Sequence, residues 1–159
     1  MILAEHDVLI LSGGVSMGKF DFIPQVLNEL GLKTLFHKVA QKPGKPLLFA
    51  TSSNKKALFG LPGNPVSTLI CAVRYVLPYL SKTCGIQIKA PLVKLGEDVK
   101  QSENVTIFIP VTLKHNGFAL PVNFAGSGDY AALTKSNGFV EIPKGKGTLR
   151  KGKGAKFYS

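Results

Sequence analysis

His6-Asp7-Val8-Leu9-Ile10-Leu11-Ser12-Gly13-Gly14-Val15-Ser16-Met17-Gly18-Lys19-Phe20-Asp21 is an apolar run that ends abruptly in a serine-glycine loop. Six residues without alternation, stopped by glycines, read as a parallel strand buried on both faces. The spacing predicts a helix beyond the loop, with Ile23, Val26, Leu27 and Leu30 at i, i+3, i+4 and i+7 on one face. Asp21 can cap it, Pro24 falls in its first turn where a missing N–H costs little, and Gly31 stops it. Strand, glycine loop and helix in that order define an α/β unit.

Downstream the same grammar continues. Thr34–Ala40, Pro46–Ala50 and Ala57–Gly60 read as strands. A second helix starts at Asn64-Pro65, an N-cap followed by proline, with the stripe Val66, Leu69, Ile70, Val73 and Leu77; Pro78 is expected to kink or end it. After Gly85 the period changes. Val105–Val111 and Phe118–Val122 are β-rich and flank a Lys114-His115-Asn116-Gly117 hairpin turn, and Phe139–Ile142 and Ala155–Tyr158 read as further strands. Between these last two, Pro143–Gly154 has little to bury. The expected architecture is α/β over residues 1–86, followed by a small all-β, barrel-like domain over residues 87–159. Because the chain opens almost directly on a core strand, the reading is of a cut through a domain rather than a natural start.

Composition narrows the function. Hydrophobic residues make up 45% of the chain, enough for a core without disulfides. Lys and Arg number 20 against nine Asp and Glu, a net charge of +11. Only Arg74 and Arg150 are arginines, whereas nucleic-acid readers normally use arginine prominently, so small anions are favoured as partners. The longest apolar stretch, Ser67–Leu80, contains Arg74 and a proline and does not read as a membrane span. Cys71 and Cys84 have no neighbouring ligand cluster and read as reduced structural thiols of a cytoplasmic protein.

Three segments could carry chemistry. Ser12, Gly13, Gly14, Val15, Ser16 and Gly18 form a loop at the carboxyl end of a strand, where backbone N–H groups approach anions closely; a plain tight turn explains the glycines equally well. Asp21 serves there as a helix cap, or as a metal ligand or general base. Lys38 precedes Lys42-Pro43-Gly44-Lys45-Pro46, where two prolines and a glycine stiffen a loop bearing two ammonium groups; the alternative is a solvated turn. Pro62, Gly63, Asn64 and Pro65, with Ser67, open the second helix toward the same edge of the sheet.

Taken together, SGGVSMGKFDF (12–22), FHKVAQKPGKPLLF (36–49) and FGLPGNPVS (59–67) resemble the third domain of the molybdopterin molybdotransferase family, the MoeA type, over about residues 6–85. Gly126-Ser127-Gly128 and the strand-like Gly138–Pro143 resemble its β-rich fourth domain. The resemblance implies a partial three-layer molybdopterin-binding fold. It also implies insertion of molybdate into adenylylated molybdopterin with release of AMP, assisted by Mg2+ or another divalent cation, in a cytoplasmic homodimer. It assigns Asp21, Lys38 and Lys42 to catalysis, with Asp21 at the metal. Ser12, Gly13, Gly14, Val15, Ser16, Gly18, Pro62, Gly63, Asn64 and Pro65 go to the pterin phosphate or nucleotide. Lys42, Lys45, Pro46, Ser67 and Ser127 go to molybdate. The family supplies arginines near the segment that here reads NVTIFIPV (104–111), and this chain has none there. An alternative within the resemblance is a non-catalytic scaffold module of the gephyrin type.

Overall fold

The computed structural model describes residues 2–16, 22–123 and 128–159. A short helix α1 (Ile2–Glu5) leads into β1 (Val8–Ser12), then α2 (Ile23–Glu29), β2 (Lys33–His37), the two-residue β3 (Gln41–Lys42), β4 (Leu48–Thr51) and β5 (Ala57–Leu61). Helix α3 (Pro65–Cys71) passes through a π-helical turn (Ala72–Val76) into α4 (Leu77–Thr83). The second half comprises β6 (Leu92–Leu95), β7 (Val99–Lys100), β8 (Thr106–Leu113), β9 (Phe118–Pro121), α5 (Tyr130–Thr134), β10 (Gly138–Ile142), β11 (Thr148–Leu149) and β12 (Gly154–Tyr158).

The first half is a three-layer unit. Its sheet has the order β1-β5-β4-β2, with β1 and β5 parallel and the remaining pairs antiparallel. Residues alternate between faces, as the strand period of two requires. Leu9, Leu11, Leu48, Ala50 and Leu58 face one side, where they pack with Leu27 of α2. Val8, Phe49, Ala57, Phe59 and Leu61 face the other, against Cys71, Val76, Tyr79 and Leu80 of the long helix. Phe49, Phe59 and Tyr79 meet there with ring centroids 4.7–5.9 Å apart, an aromatic cluster in the favourable tilted and edge-on range.

In the second half β8, β10, β12, β6 and β9 close on themselves, because β10 pairs with both β12 and β8. The closure leaves a five-stranded barrel whose interior holds Val93, Leu95, Val111, Ala119, Val140, Ile142, Ala155 and Phe157. β7 and β11 form a separate small ladder, and Pro143–Gly154 contributes little to the core beyond Leu149. The outward residues Phe108, Phe139 and Tyr158 meet Val66 and Ile70 of α3, so a fourth apolar cluster joins barrel to helix.

The structure departs from the sequence reading at several places. β1 lies at the edge of its sheet with Ile10 exposed, rather than buried on both faces, and β6 is a strand the sequence reading left unassigned. Pro78 does not end the helical run: it falls in the first turn of α4, just after a π-helical turn, where its lack of an N–H removes no required bond. The strand expected over Thr34–Ala40 stops at His37, because Lys38 takes a left-handed φ of 85° and turns the chain. The N-cap position of α2 is occupied by Phe22, which makes no side-chain cap bond. Asp21, the cap expected from the sequence, lies outside the described residues.

Candidate functional site

Register places two loops side by side. Ser12 pairs with Leu61 at the ends of parallel β1 and β5, so both strands finish at one edge and the loops beyond them run together. Gly13 N–H donates to the Leu61 carbonyl at 3.0 Å and the Ser12 hydroxyl to the Pro62 carbonyl at 3.4 Å. Gly13 and Gly14 hold φ of 89° and 67°, which side chains resist. A methyl group at Gly63 would come 3.3 Å from Cα of Gly13, so the loops touch backbone to backbone. Val15 is buried beneath Gly60, and His37, at the end of β2, holds its carbonyl from Nε2 at 2.6 Å. Ser12, Gly14 and Ser16 stay exposed at this edge.

The second loop is tied from within. Asn64 caps α3, its Oδ1 accepting from the Ser67 N–H at 3.1 Å and the Ser67 hydroxyl at 3.2 Å. Thr68 donates its hydroxyl to the Pro62 and Asn64 carbonyls. Ser67, assigned above to an anion, is 5% exposed and engaged with Asn64, whereas Gly63 and Pro65 are exposed.

The lysine loop leaves the sheet at Lys38 and returns at Leu47. Lys38 N–H donates to the Leu47 carbonyl at 2.8 Å and Val39 N–H to the Lys45 carbonyl at 2.9 Å, pinching the loop at its neck. Within it the Lys42–Pro43 peptide is cis. Gly44 is buried with φ of 93°, against Cys71 and the Ser67 carbonyl of α3, and a methyl there would lie 2.8 Å from Cys71 Sγ. Lys38, Lys42 and Lys45 all point outward. The loop is a pinned platform for ammonium groups, and it rests on the helix that the glycine loops open. Burial pushes the Cys71 thiol up to about 12, so it stays neutral and structural.

Among the described residues, no three His, Cys, Asp or Glu side chains converge to hold a metal ion. The described side chains therefore do not fit a resident divalent cation by themselves. Asp21, Gly18 and Ser127, assigned above to metal, phosphate and molybdate, lie outside the described residues. The sequence reading missed His37, Gln41, Tyr75 and the interface set Arg74, Glu141 and Tyr158. Gln41 carried a faint signal, a polar residue directly before the proline-glycine loop. The others become legible only when distant segments meet.

Residues 1–82 match the family described as "Probable molybdopterin binding domain", and residues 93–159 match the "MoeA C-terminal region (domain IV)". The chain belongs to the MoeA family. It is 39% identical to the molybdopterin molybdenumtransferase of Synechocystis sp. over 98% of its own length and 39% of that protein's. Against the molybdopterin molybdenumtransferase of Synechococcus elongatus it is 37% identical, over 91% of this chain and 36% of the relative. A solved MoeA molybdopterin biosynthesis protein from Pyrococcus horikoshii superposes with a TM-score of 0.77 at 30% identity, covering 98% of this chain and 38% of that one. The chain thus spans about two fifths of the length of the relatives it matches.

Proposed function

We propose that this chain contributes the pterin- and oxyanion-binding edge of a molybdopterin molybdotransferase, acting in molybdenum cofactor biosynthesis as part of a longer polypeptide. The reaction is insertion of molybdate into adenylylated molybdopterin with release of AMP. The observation that carries this reading is the back-to-back contact of Gly13 and Gly63, which merges two anion-binding loops into one wall. The loop that bears exposed Lys42 and Lys45 rests on α3 through Gly44.

Each part has a role that its chemistry suits. Ser12, Gly13, Gly14, Val15 and Ser16 offer N–H and hydroxyl donors to the pterin phosphate or nucleotide, with Gly18 beside them. Pro62, Gly63, Asn64 and Pro65 shape the facing wall. Lys38 and Lys42 offset the charge that accumulates on phosphoryl and molybdate oxygens, and Lys45, Pro46, Ser67 and Ser127 complete the molybdate side. Ser67 acts there through Asn64, since its hydroxyl is already donated. Asp21 is the residue proposed to recruit Mg2+; its partners would have to come from beyond the described residues. The division into residues 1–86 and 87–159, a cytoplasmic location and a homodimer belong to the same reading, as does the absence of membrane and nucleic-acid partners. None of the described helices is long and apolar enough to cross a membrane.

The test is a fluorescence titration of adenylylated molybdopterin into the chain and into Gly63→Val. A branched side chain there must push the two loops apart. Saturable binding that Gly63→Val abolishes, with an unchanged circular dichroism spectrum, is the expected result. Equal binding by both proteins, or none by either, overturns the reading.

A further inference from the structure

We propose that Gln41 is a positioning residue for the lysine loop, setting its backbone from inside the protein so that Lys42 and Lys45 meet an oxyanion already oriented. This rests on the reading of that loop as an oxyanion receptor. Gln41 is 3% exposed, a neutral amide shut away from water immediately before Lys42. A buried amide must find protein partners, and this one finds them at both ends. Its Nε2 donates to the Pro43 carbonyl at 3.0 Å, drawing the turn back onto its own base, and lies 3.7 Å from Cys71 Sγ. Its Oε1 accepts the Tyr75 hydroxyl at 2.5 Å. Burial raises the Tyr75 pKa, so the hydroxyl keeps the proton it donates.

Gly44 seals the arrangement, because a methyl there would lie 2.6 Å from Gln41 Nε2. The loop therefore closes around the amide, and the amide is held by a phenol on the long helix. A leucine or methionine would fill the same volume without the desolvation cost of an amide. What the amide adds is direction: a fixed distance from Pro43 to Tyr75. A loop held this way loses less freedom on binding than one free to sample other turns.

The test separates packing from positioning. Gln41→Leu alone strands the Tyr75 hydroxyl, and Tyr75→Phe alone strands Oε1, so each single change is expected to lower the melting temperature. Gln41→Leu with Tyr75→Phe removes the amide and the phenol hydroxyl together, leaving only the half-buried Pro43 carbonyl without its donor, and stability should return in large part. Molybdate affinity, read by calorimetric titration of sodium molybdate, should not return: the double variant is expected to bind roughly tenfold more weakly than the parent chain. Recovery of both stability and affinity overturns the positioning role and leaves Gln41 as core packing. Lys42→Ala with Lys45→Ala is run beside it. If that variant binds molybdate as the parent does, or the parent does not bind, the oxyanion reading falls and the positioning role falls with it. If it loses binding while the Gln41/Tyr75 double variant keeps it, only the positioning role falls. Should the double variant fail to fold, Gln41→Met is titrated under the same criterion.

Discussion

Arg74 brings its Nε to 3.3 Å from Oε2 of Glu141, across the junction between the long helix and the barrel. The same oxygen accepts the Tyr158 hydroxyl at 2.5 Å, and the approach joins the charges without aligning the Arg74 N–H on an acceptor. The guanidinium lies 5.2 and 5.6 Å from the Tyr75 and Tyr158 rings, so two aromatic faces complete its surroundings. Glu141 is therefore the shared acceptor of the junction. Glu141→Ala leaves an arginine and a tyrosine hydroxyl without it and should cost about 1–3 kcal/mol. Arg74→Met keeps the packing stem and leaves Tyr158 paired, at a cost below about 1 kcal/mol. Urea denaturation of the two variants gives the comparison, and equal losses would show that the carboxylate matters only through Arg74.

Two glycines with left-handed backbones provide a controlled pair. Gly31 has φ of 74° and open space where a methyl would go; Gly44 has φ of 93° and no space. Gly31→Ala should cost only the backbone strain, about 1–2 kcal/mol. Gly44→Ala adds overpacking of about 1–3 kcal/mol more. Thermal unfolding monitored at the tyrosine band would rank them, and the opposite order would mean that the lysine loop yields readily.

Asn64 serves the helix and faces the proposed anion edge, and substitutions part these roles. Asn64→Ala should cost about 1 kcal/mol of stability by removing the cap. Asn64→Asp caps equally well, so its melting temperature should match the parent, while the added negative charge weakens molybdate binding. Calorimetry on Asn64→Asp decides: unchanged affinity would place the bound anion away from this helix.

Alkaline pH should destabilise the fold through its desolvated thiol and phenol groups. The Cys71 thiol is raised from 9.0 to about 12 by burial. Below pH 9 folded and unfolded chains both carry that proton and stability does not depend on it. Above 9 the unfolded chain releases it first, so stability falls as pH rises toward 12. The half-buried hydroxyls of Tyr75 and Tyr158, both raised, act in the same direction above 10. Denaturant midpoints measured from pH 8 to pH 11 should decline, and Cys71→Ala should flatten the lower part of that decline. In native buffer an alkylating reagent should modify exposed Cys84 well before Cys71.

The elements that sequence foretold are those whose signals are local. The run Val8–Leu11, the Asn64-Pro65 helix start and the Lys114–Gly117 turn, closed by a 2.9 Å bond from Gly117 to Lys114, each carry their own cause within a few residues. Four of the five barrel strands were legible as strands for the same reason; β6, the four residues after Pro91, was not. Their closure was not, because the pairing of β10 with β8 joins residues that no local period relates. Pro78 does not end the helix as one of its two sequence readings had it, because the π-helical turn before it takes up the missing N–H. At the site, glycines, prolines and lysines announced the loops, whereas His37 and Gln41 gained meaning only from the Val15 and Pro43 carbonyls they reach.

β3 is two residues long, yet it belongs to the barrel sheet: Gln41 and Lys42 run parallel to Thr106 and Ile107 of β8. Both ends of the loop, Lys38 and Leu47, are bonded to each other beside the α/β sheet. The lysine segment is thus anchored at its neck to one half of the molecule and, through Gln41 and Lys42, to the other, like a tie-rod between two frames. The position of Lys42 relative to the serine-glycine loop on β1 is therefore fixed by both halves together and not by either half alone.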